Sequence, residues 1–386
     1  MLVLEPIHVT LLLFSVLAFL LKCESVALSN SNPVLSPMGT ARVSRAAVAQ
    51  IRSTSDKLSN LINIAKCAGW AKHAGADMLF LPECFGFMGD NASHTLEEAD
   101  PAIFLCEQEP KHDELLPNPF RQTVSDVIIS HANGTPFEIP KIDNTQRLPS
   151  IVRGLQFIAR ESGMWISGGG VHTRVPKSSS STDHQKIYNT HVIIDDRGKV
   201  KRYYHKIHLF DVSIPNKVNL MESKTTEPGT TLEVCDSPVG KLGLSICYDM
   251  RFSEMYVDLV KMGAQILLAP SAFTVPTGKA HWHTLLRARA IESQCYMIAA
   301  AQVGKHNEKR ESYGHSLVYD PWGELLADAG GYDSVGTAGD SAIPGDDDSP
   351  VRVPSIVVCE IDLDKIDTVR ERMPIHEHRA KSTYAL

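Results

Sequence analysis

The chain has 386 residues, room for one large domain or two ordinary ones. Its 43% hydrophobic and 22% charged residues mark a globular protein, and a formal charge of −7 without a face-sized Lys/Arg cluster excludes a nucleic-acid or other polyanion surface. The eight cysteines (Cys23, Cys67, Cys84, Cys106, Cys235, Cys247, Cys295 and Cys359) are scattered without a C-x-x-C pair, which excludes zinc-ribbon and thioredoxin-type chemistry and leaves most of them as buried, reduced thiols.

In chain order, the first feature is an apolar run of 13 residues, Val9–Leu21. It is shorter than the roughly 20 residues a bilayer-spanning helix needs. It reads as the core of a signal peptide with a cleavage site near Ser25-Val26-Ala27, although no Lys or Arg precedes it. The residues from Ala27 through Arg45 are Ser-rich, carry two arginines and lack acids, like a transit segment. A leader is therefore expected over residues 1–27 and a linker or transit-like segment over 28–40, with no stable membrane span once the leader is removed. This pattern points to the secretory route or to a plastid reached through it; cytoplasm and mitochondrion are the alternatives. Asn91 and Asn133 open sequons that are common by chance and do not settle the compartment.

Val43 to Ile51 reads as a strand and Asp56 to Ala74 as an amphipathic helix capped by Ser55 or Asp56. Met78 to Leu81 is a short buried strand stopped at Pro82-Glu83. Ser150 to Ser162 reads as a helix, followed by a strand from Met164 to Ser167 and the glycine triplet Gly168–Gly170. His191–Ile194 and Val200–Tyr203 form a hairpin about Asp196-Arg197-Gly198. Leu242–Cys247, Ile266–Ala269, Met297–Gln302, Ser316–Tyr319 and Ile356–Ile361 read as strands. Ser253–Met262 and Ala280–Glu292 read as helices between them. The alternation predicts one α/β domain over residues 41–380. Two aperiodic, polar stretches, 100–148 and 330–354, read as inserted surface loops, partly disordered.

Three short motifs offer chemistry. Cys247 ends an apolar strand and precedes a helix, a turn that exposes a side chain and aims backbone N–H groups at one spot, with the Tyr248 N–H as an oxyanion donor. Glu83 ends the strand at Pro82. Lys206 sits in the aromatic and apolar setting Tyr204-His205-Lys206-Ile207-His208. Taken singly, each has an ordinary reading: a packed core thiol, a strand-end acid facing solvent, a snorkelling surface lysine. His281 and His283 flank Trp282 on a predicted helix, where i and i+2 side chains point apart, so they are not read as a metal pair.

Taken together, the motifs resemble the nitrilase (carbon–nitrogen hydrolase) superfamily, whose sites hold glutamate, lysine and cysteine in that chain order. The resemblance runs from about Arg42 to Arg379 and is dense in KIHLFDVSIPNKVNLME (206–222), GLSICYDMRFSE (243–254) and the stretch from Pro270 to Gly323. It implies a four-layer α-β-β-α sandwich that pairs through a helical face into a homodimer or larger homo-oligomer. It implies Glu83 as general base, Lys206 as oxyanion stabiliser, Cys247 as nucleophile and Glu222 as a supporting acid. Arg251 matches the position that binds a substrate carboxylate, with a helix-start ion pair to Glu254 as the ordinary alternative, and Phe273 and Thr277 match pocket positions. The implied reaction is hydrolysis of a linear carboxamide to acid and ammonia through a cysteine thioester, with no metal and no cofactor. The branch resembled acts on deaminated glutathione, a metabolite-repair reaction; an omega-amidase acting on 2-oxoglutaramate and an inactive binding protein on the same fold are the alternatives.

Overall fold

The computed structural model describes residues 43–102, 111, 115–135, 148, 150–176, 186–214, 218–331, 342–343 and 353–379. The expected leader and transit-like segment, and most of the 330–354 stretch, lie outside the described residues. Among the described residues, no helix is long and apolar enough to cross a membrane.

The amino-terminal half is built as β1 (Val43–Ile51), α1 (Lys57–His73), β2 (Met78–Glu83), α2 (Ala92–Glu98), α3 (Asn118–Ala132), α4 (Ile151–Ser162), β3 (Trp165–Arg174), β4 (Ile187–Ile194) and β5 (Val200–His205). A small hairpin follows, β6 (Asp211–Ile214) and β7 (Val218–Met221). The second half gives β8 (Val234–Ser237), β9 (Gly240–Gly243), α5 (Ser253–Lys261), β10 (Ile266–Leu268), α6 (Val275–Ser293), β11 (Tyr296–Ala299) and β12 (Ala301–Lys305). It closes with β13 (Glu311–Tyr313), β14 (Leu317–Tyr319), β15 (Leu325–Asp328), β16 (Ala342–Ile343), β17 (Ser355–Asp362) and α7 (Leu363–Arg372).

These strands form two large sheets. In the first, β1, β2 and β3 run parallel, β4 and β5 follow antiparallel, and β17 lies antiparallel along nearly the whole of β1. The second sheet runs β15-β14-β11-β10-β9-β8. The expected single strand Met297–Gln302 is broken at Ala300: β11 belongs to the second sheet, while β12 crosses to pair with the end of β1 in the first. Strand β1 shows why two buried faces result. Ala46 and Val48 join the core shared with Leu242, Ile266 and Met297 of the second sheet. Ala47, Ala49 and Ile51 face the opposite way and pack with Leu61 of α1 and Leu155 of α4. A strand buried on both faces reads as a continuous apolar run. With α5 and α6 covering the second sheet, the layers are α-β-β-α, the predicted sandwich.

Two expectations need correcting. Strand β2 does not stop at Pro82; it continues to Glu83, which pairs with Gly170 of β3. Pro82 lacks an N–H, but it sits next to the strand's end, beyond the rungs Met78–Phe80 that pair with β1, where one missing donor is tolerated. The stretch 100–148 is not a surface loop throughout, because it contains helix α3. Phe120, Val124, Val127 and Ile128 follow helical spacing and are at most 1% exposed, packed into the core with α1 and α4. The start of the stretch is also fixed. The buried Asp100 carboxylate accepts the Ser150 hydroxyl at 2.7 Å and the Val152 N–H at 2.8 Å, at the N-terminus of α4. The rest of the stretch lies largely outside the described residues.

Because Phe120 is fully buried, Phe120→Ala is expected to cost about 3–5 kcal/mol in urea unfolding. A loss within about 0.5 kcal/mol, the range of surface substitutions, would restore the surface-loop reading.

Candidate active site

Four predicted residues converge where the two sheets end together. Glu83 closes β2 and Lys206 follows β5, both in the first sheet. Glu222 follows β7 and opens a single 3-10 turn. Cys247 comes from the second sheet, four residues beyond β9, and starts the 3-10 turn Cys247–Arg251. Its φ is 49°, a left-handed conformation that costs an ordinary residue about 1–2 kcal/mol. A 2.9 Å hydrogen bond from its N–H to the Pro270 carbonyl holds it there. The glycine triplet explains how the sheets come this close. A Cβ at Gly169 would collide with the Leu81 carbonyl and the Pro270 ring, and β3 changes register against β4 between Gly168 and Val171.

Lys206 is 2% exposed. Its ammonium donates to Glu83 Oε1 at 3.2 Å and to Glu222 at 3.0 and 3.2 Å. Burial alone would favour the neutral amine, but the two carboxylates overcome it and hold Lys206 charged, its pKa well above the ordinary lysine value. Glu83 is likewise buried, which favours the protonated acid. Lys206, Cys247 and Asn189 outweigh that and keep its carboxyl below the usual range. Asn189 Nδ2 donates to Oε1 at 2.9 Å and the Ala272 N–H to Oε2 at 3.0 Å, so both oxygens are fixed. Cys247 moves the other way. Burial and the neighbouring Glu83 charge outweigh Lys206, and its pKa stands well above the ordinary thiol value. The resting pair is therefore thiol and carboxylate, not thiolate and acid.

The turn carrying Cys247 is tied to the loop carrying Lys206 by Asp249, which is fully buried. Its Oδ2 accepts the Tyr204 hydroxyl and the Ile246 N–H, each at 2.8 Å. Its Oδ1 accepts the His208 N–H at 3.0 Å and lies 2.8 Å from His208 Nδ1. Tyr248 is the second residue of the 3-10 turn, in the first turn, where backbone N–H groups find no partner within the turn.

In front of Cys247 opens a cavity of about 350 Å³, walled by Arg251, Phe273, Thr277, Lys309 and Arg310 among others. Arg251 makes no ion pair with Glu254. Its guanidinium lies over the rings of Tyr248 and Phe273, at 5.6 and 5.5 Å, and meets His281 Nδ1 at 3.3 Å. Phe273 leans on Trp282 with ring centroids 5.0 Å apart. Thr277 Oγ1 is engaged with Thr274 at the start of α6. All eight predicted site residues thus border one cleft. Sequence reasoning missed Asn189, the Ala272 N–H, Asp249, Cys84, Lys309 and Arg310. A polar Asn inside the apolar strand β4 was the available signal for the first. Cys84 also borders the cavity, but it is 5% exposed and burial pushes it up to about 12.

A buried carboxylate and a buried ammonium thus stand beside a thiol on the wall of one cavity. The carbon-nitrogen hydrolase family matches residues 45–370. The deaminated glutathione amidase of Dictyostelium discoideum is 37% identical over 346 residues, 89% of this chain and 97% of that protein. The C. elegans NitFhit protein superposes with a TM-score of 0.66 at 36% identity, over 90% of this chain and 67% of that one. Saccharomyces cerevisiae Nit3, a member of branch 10 of the nitrilase superfamily, superposes with a TM-score of 0.62 at 25% identity, over 91% of this chain and 100% of that one. The chain belongs to the carbon–nitrogen hydrolase family, and it is a hydrolase of the carbon–nitrogen bonds of linear amides.

The charge balance gives a test in stability. In the unmutated protein Glu83 has a folded pKa below its unfolded value near 4.3, so its contribution is present above about pH 4.3 and is lost as pH falls through the folded pKa. Lys206→Met removes the cation and leaves the acid buried. It is expected to cost about 3–5 kcal/mol at pH 7. The Glu83 pKa then rises above its unfolded value, so stability should fall as pH increases from 5 to 8. Urea unfolding across that range checks the sign; parallel pH profiles for the two proteins would refute it.

Proposed function

We propose that Cys247, Glu83, Lys206 and Glu222 carry the amide hydrolysis and that the substrate is deaminated glutathione. Glu83 takes the Cys247 proton as the sulfur attacks the amide carbon. The oxyanion is received by the Lys206 ammonium and the Tyr248 N–H. As the tetrahedral species collapses, the C–N bond breaks and Glu83 returns the proton to the departing amine. The acid remains as a thioester on Cys247. Water, deprotonated by Glu83, then attacks the thioester and releases the acid, while the proton goes back to the sulfur. Glu222 holds Lys206 in place throughout. Its Oε2 also accepts the Phe210 N–H at 2.7 Å, which anchors it to the loop that carries Lys206.

The observation that carries the substrate reading is the cationic lining of the cleft. Besides Lys206, it holds Arg251, Lys309 and Arg310. Deaminated glutathione has a carboxylate at each end, on the 2-oxo acid and on the terminal glycine, and it offers two anions to these cations. 2-Oxoglutaramate offers one. The named relative in Dictyostelium points the same way. The scissile amide of deaminated glutathione carries a dipeptide, so the amine released is cysteinylglycine. Ammonia leaves only from a primary carboxamide such as 2-oxoglutaramate. Both substrates yield 2-oxoglutarate, the product to assay.

With residues 41–386, 2-oxoglutarate release is expected to be faster from deaminated glutathione than from 2-oxoglutaramate at equal concentration. A preference for 2-oxoglutaramate would make the protein an omega-amidase with the same site. Cys247→Ala should lower kcat by about 10⁴-fold or more, and appreciable residual turnover would refute the thioester route.

We assign Arg251 to the 2-oxo acid carboxylate because its guanidinium borders the cavity, beside Phe273, without a carboxylate partner of its own among the described residues. A charge-assisted pair contributes roughly 1.5–3 kcal/mol, so Arg251→Ala should raise KM about 10- to 100-fold with kcat little changed. An unchanged KM moves the carboxylate contact to Lys309 or Arg310.

A further inference from the structure

Away from the cleft, the fold gathers His283 from α6, His315 from the turn before β14 and Asp328 from the end of β15. One donor atom from each lies within 4.8 Å of the other two. His315 Nδ1 stands 3.0 Å from both Asp328 oxygens, and His283 Nε2 stands 3.9 Å from Oδ2. The imidazoles meet edge to face with centroids 4.8 Å apart. The side chains are between 12% and 36% exposed, so an ion reaches them from solvent while neighbours hold them in position.

Each donor is aimed by a separate contact. His283 Nδ1 lies 3.2 Å from the Tyr319 hydroxyl, and donating there leaves the Nε2 lone pair facing the cluster. Metal-binding imidazoles are oriented in this way, through their other ring nitrogen. His315 is held in a left-handed conformation, φ 60°, by its N–H on the Gly330 carbonyl at 2.8 Å and by the Trp282 indole on its own carbonyl at 2.9 Å. Its Nε2 edge lies against Gly331, where a Cβ would collide with the ring, so Nδ1 is the edge left for the cluster. Asp328 Oδ1 takes the Gly330 N–H at 2.8 Å, leaving Oδ2 directed at both imidazoles. The spacing of His281 and His283 does separate that pair: His281 turns to Arg251 and His283 to Tyr319. The partners of His283 come from later in the chain, beyond what local spacing reveals.

We propose that His283, His315 and Asp328 bind a divalent first-row transition ion of the zinc type, at a site separate from the catalytic cleft. Two imidazoles and one carboxylate, with a position left for water, are a donor set that zinc and its neighbours take; magnesium and calcium prefer oxygen alone. A tetrahedral ion with bonds of about 2.0–2.2 Å spaces its ligands roughly 3.3–3.5 Å apart. The two gaps to Asp328, 3.0 and 3.9 Å, bracket that spacing, and the two imidazole nitrogens lie within 4.8 Å of each other. The ion would clamp α6 to the β14–β15 hairpin. The same turn of α6 carries Trp282, which backs Phe273 in the cleft wall.

Co²⁺ titration of the full chain carrying Cys247→Ala tests this, since the cleft thiol then cannot compete. One equivalent should bind with visible d–d bands and without a thiolate charge-transfer band. His283→Gln and Asp328→Asn should each weaken binding at least tenfold, and Tyr319→Phe should weaken it while keeping the band shape. Equal binding in both ligand variants, or none in the parent, leaves an ordinary histidine–aspartate pair and overturns the proposal. Should a variant fail to fold, carbethoxylation of the parent decides. Zn²⁺ should protect His283 and His315 from the reagent, and equal labelling with and without Zn²⁺ refutes the site.

Discussion

A lysine ammonium buried to 2% exposure is the feature on which the site depends. Taking such an ion out of water costs several kcal/mol, and only close opposite charge offsets it. Glu83 and Glu222 supply that charge, from a strand of the first sheet and from the end of the β6–β7 hairpin. The arrangement is reciprocal. Lys206 keeps Glu83 ionised in a buried place where an isolated carboxyl would take up a proton, and so preserves a base beside a thiol. The three charges sum to one negative. Burial, with the Glu83 charge beside it, outweighs the nearby cation and keeps Cys247 protonated, so under the proposed reading proton transfer to Glu83 accompanies attack instead of preceding it.

Such chemistry tolerates little displacement, roughly half an ångström. Yet Glu83 and Lys206 hang on one sheet and Cys247 on the other. Asp249 answers this constraint. It joins Tyr204 and His208, on either side of Lys206, to Ile246, the residue before Cys247. A second tie runs from the Ala272 N–H to Glu83, again from the second sheet to the first. The glycine triplet lets the backbones approach closely enough for both ties to be direct.

Much of this was legible in the sequence. Strand β1 holds a continuous apolar run, Ala46–Ala49, α4 keeps a clear apolar face, and Asp56, one of two expected caps, accepts N–H groups at the start of α1. Helix α1 itself is buried nearly all round, not on one face, and Ser150 caps α4 instead of opening it. The three motifs that carry Glu83, Lys206 and Cys247 could be ordered into a site only through the family resemblance, because each alone has an ordinary explanation. What the sequence hid was long-range. Ala300 looks like the middle of one strand because a change of sheet leaves no local mark. Helix α3 was obscured by polar and proline-rich flanks, although its four core positions keep helical spacing. Asn189, Asp249 and the Ala272 N–H act through partners far away in the chain, and no spacing rule finds them.

The charges of the cleft are also segregated, and this bears on how a substrate lies in it. The cluster around Cys247 carries a net negative charge, whereas the rest of the wall holds Arg251, Lys309 and Arg310 against one acid, Asp90. Under the proposed reading, a substrate carboxylate is repelled from the nucleophile and held by these outer cations. The neutral amide is the only part of such a molecule that reaches Cys247 without an electrostatic penalty. Orientation then follows from charge before any shape-specific contact is made, and binding energy from the two carboxylates is available to hold the amide carbon against the sulfur. A thiolate at Cys247 would have lost this division, since its own charge would oppose both the neighbouring carboxylates and the incoming anion. The raised proton affinity of Cys247 therefore belongs to the same design as the cationic wall: the sulfur stays neutral until the amide arrives, and the negative charge that then develops lies next to Lys206.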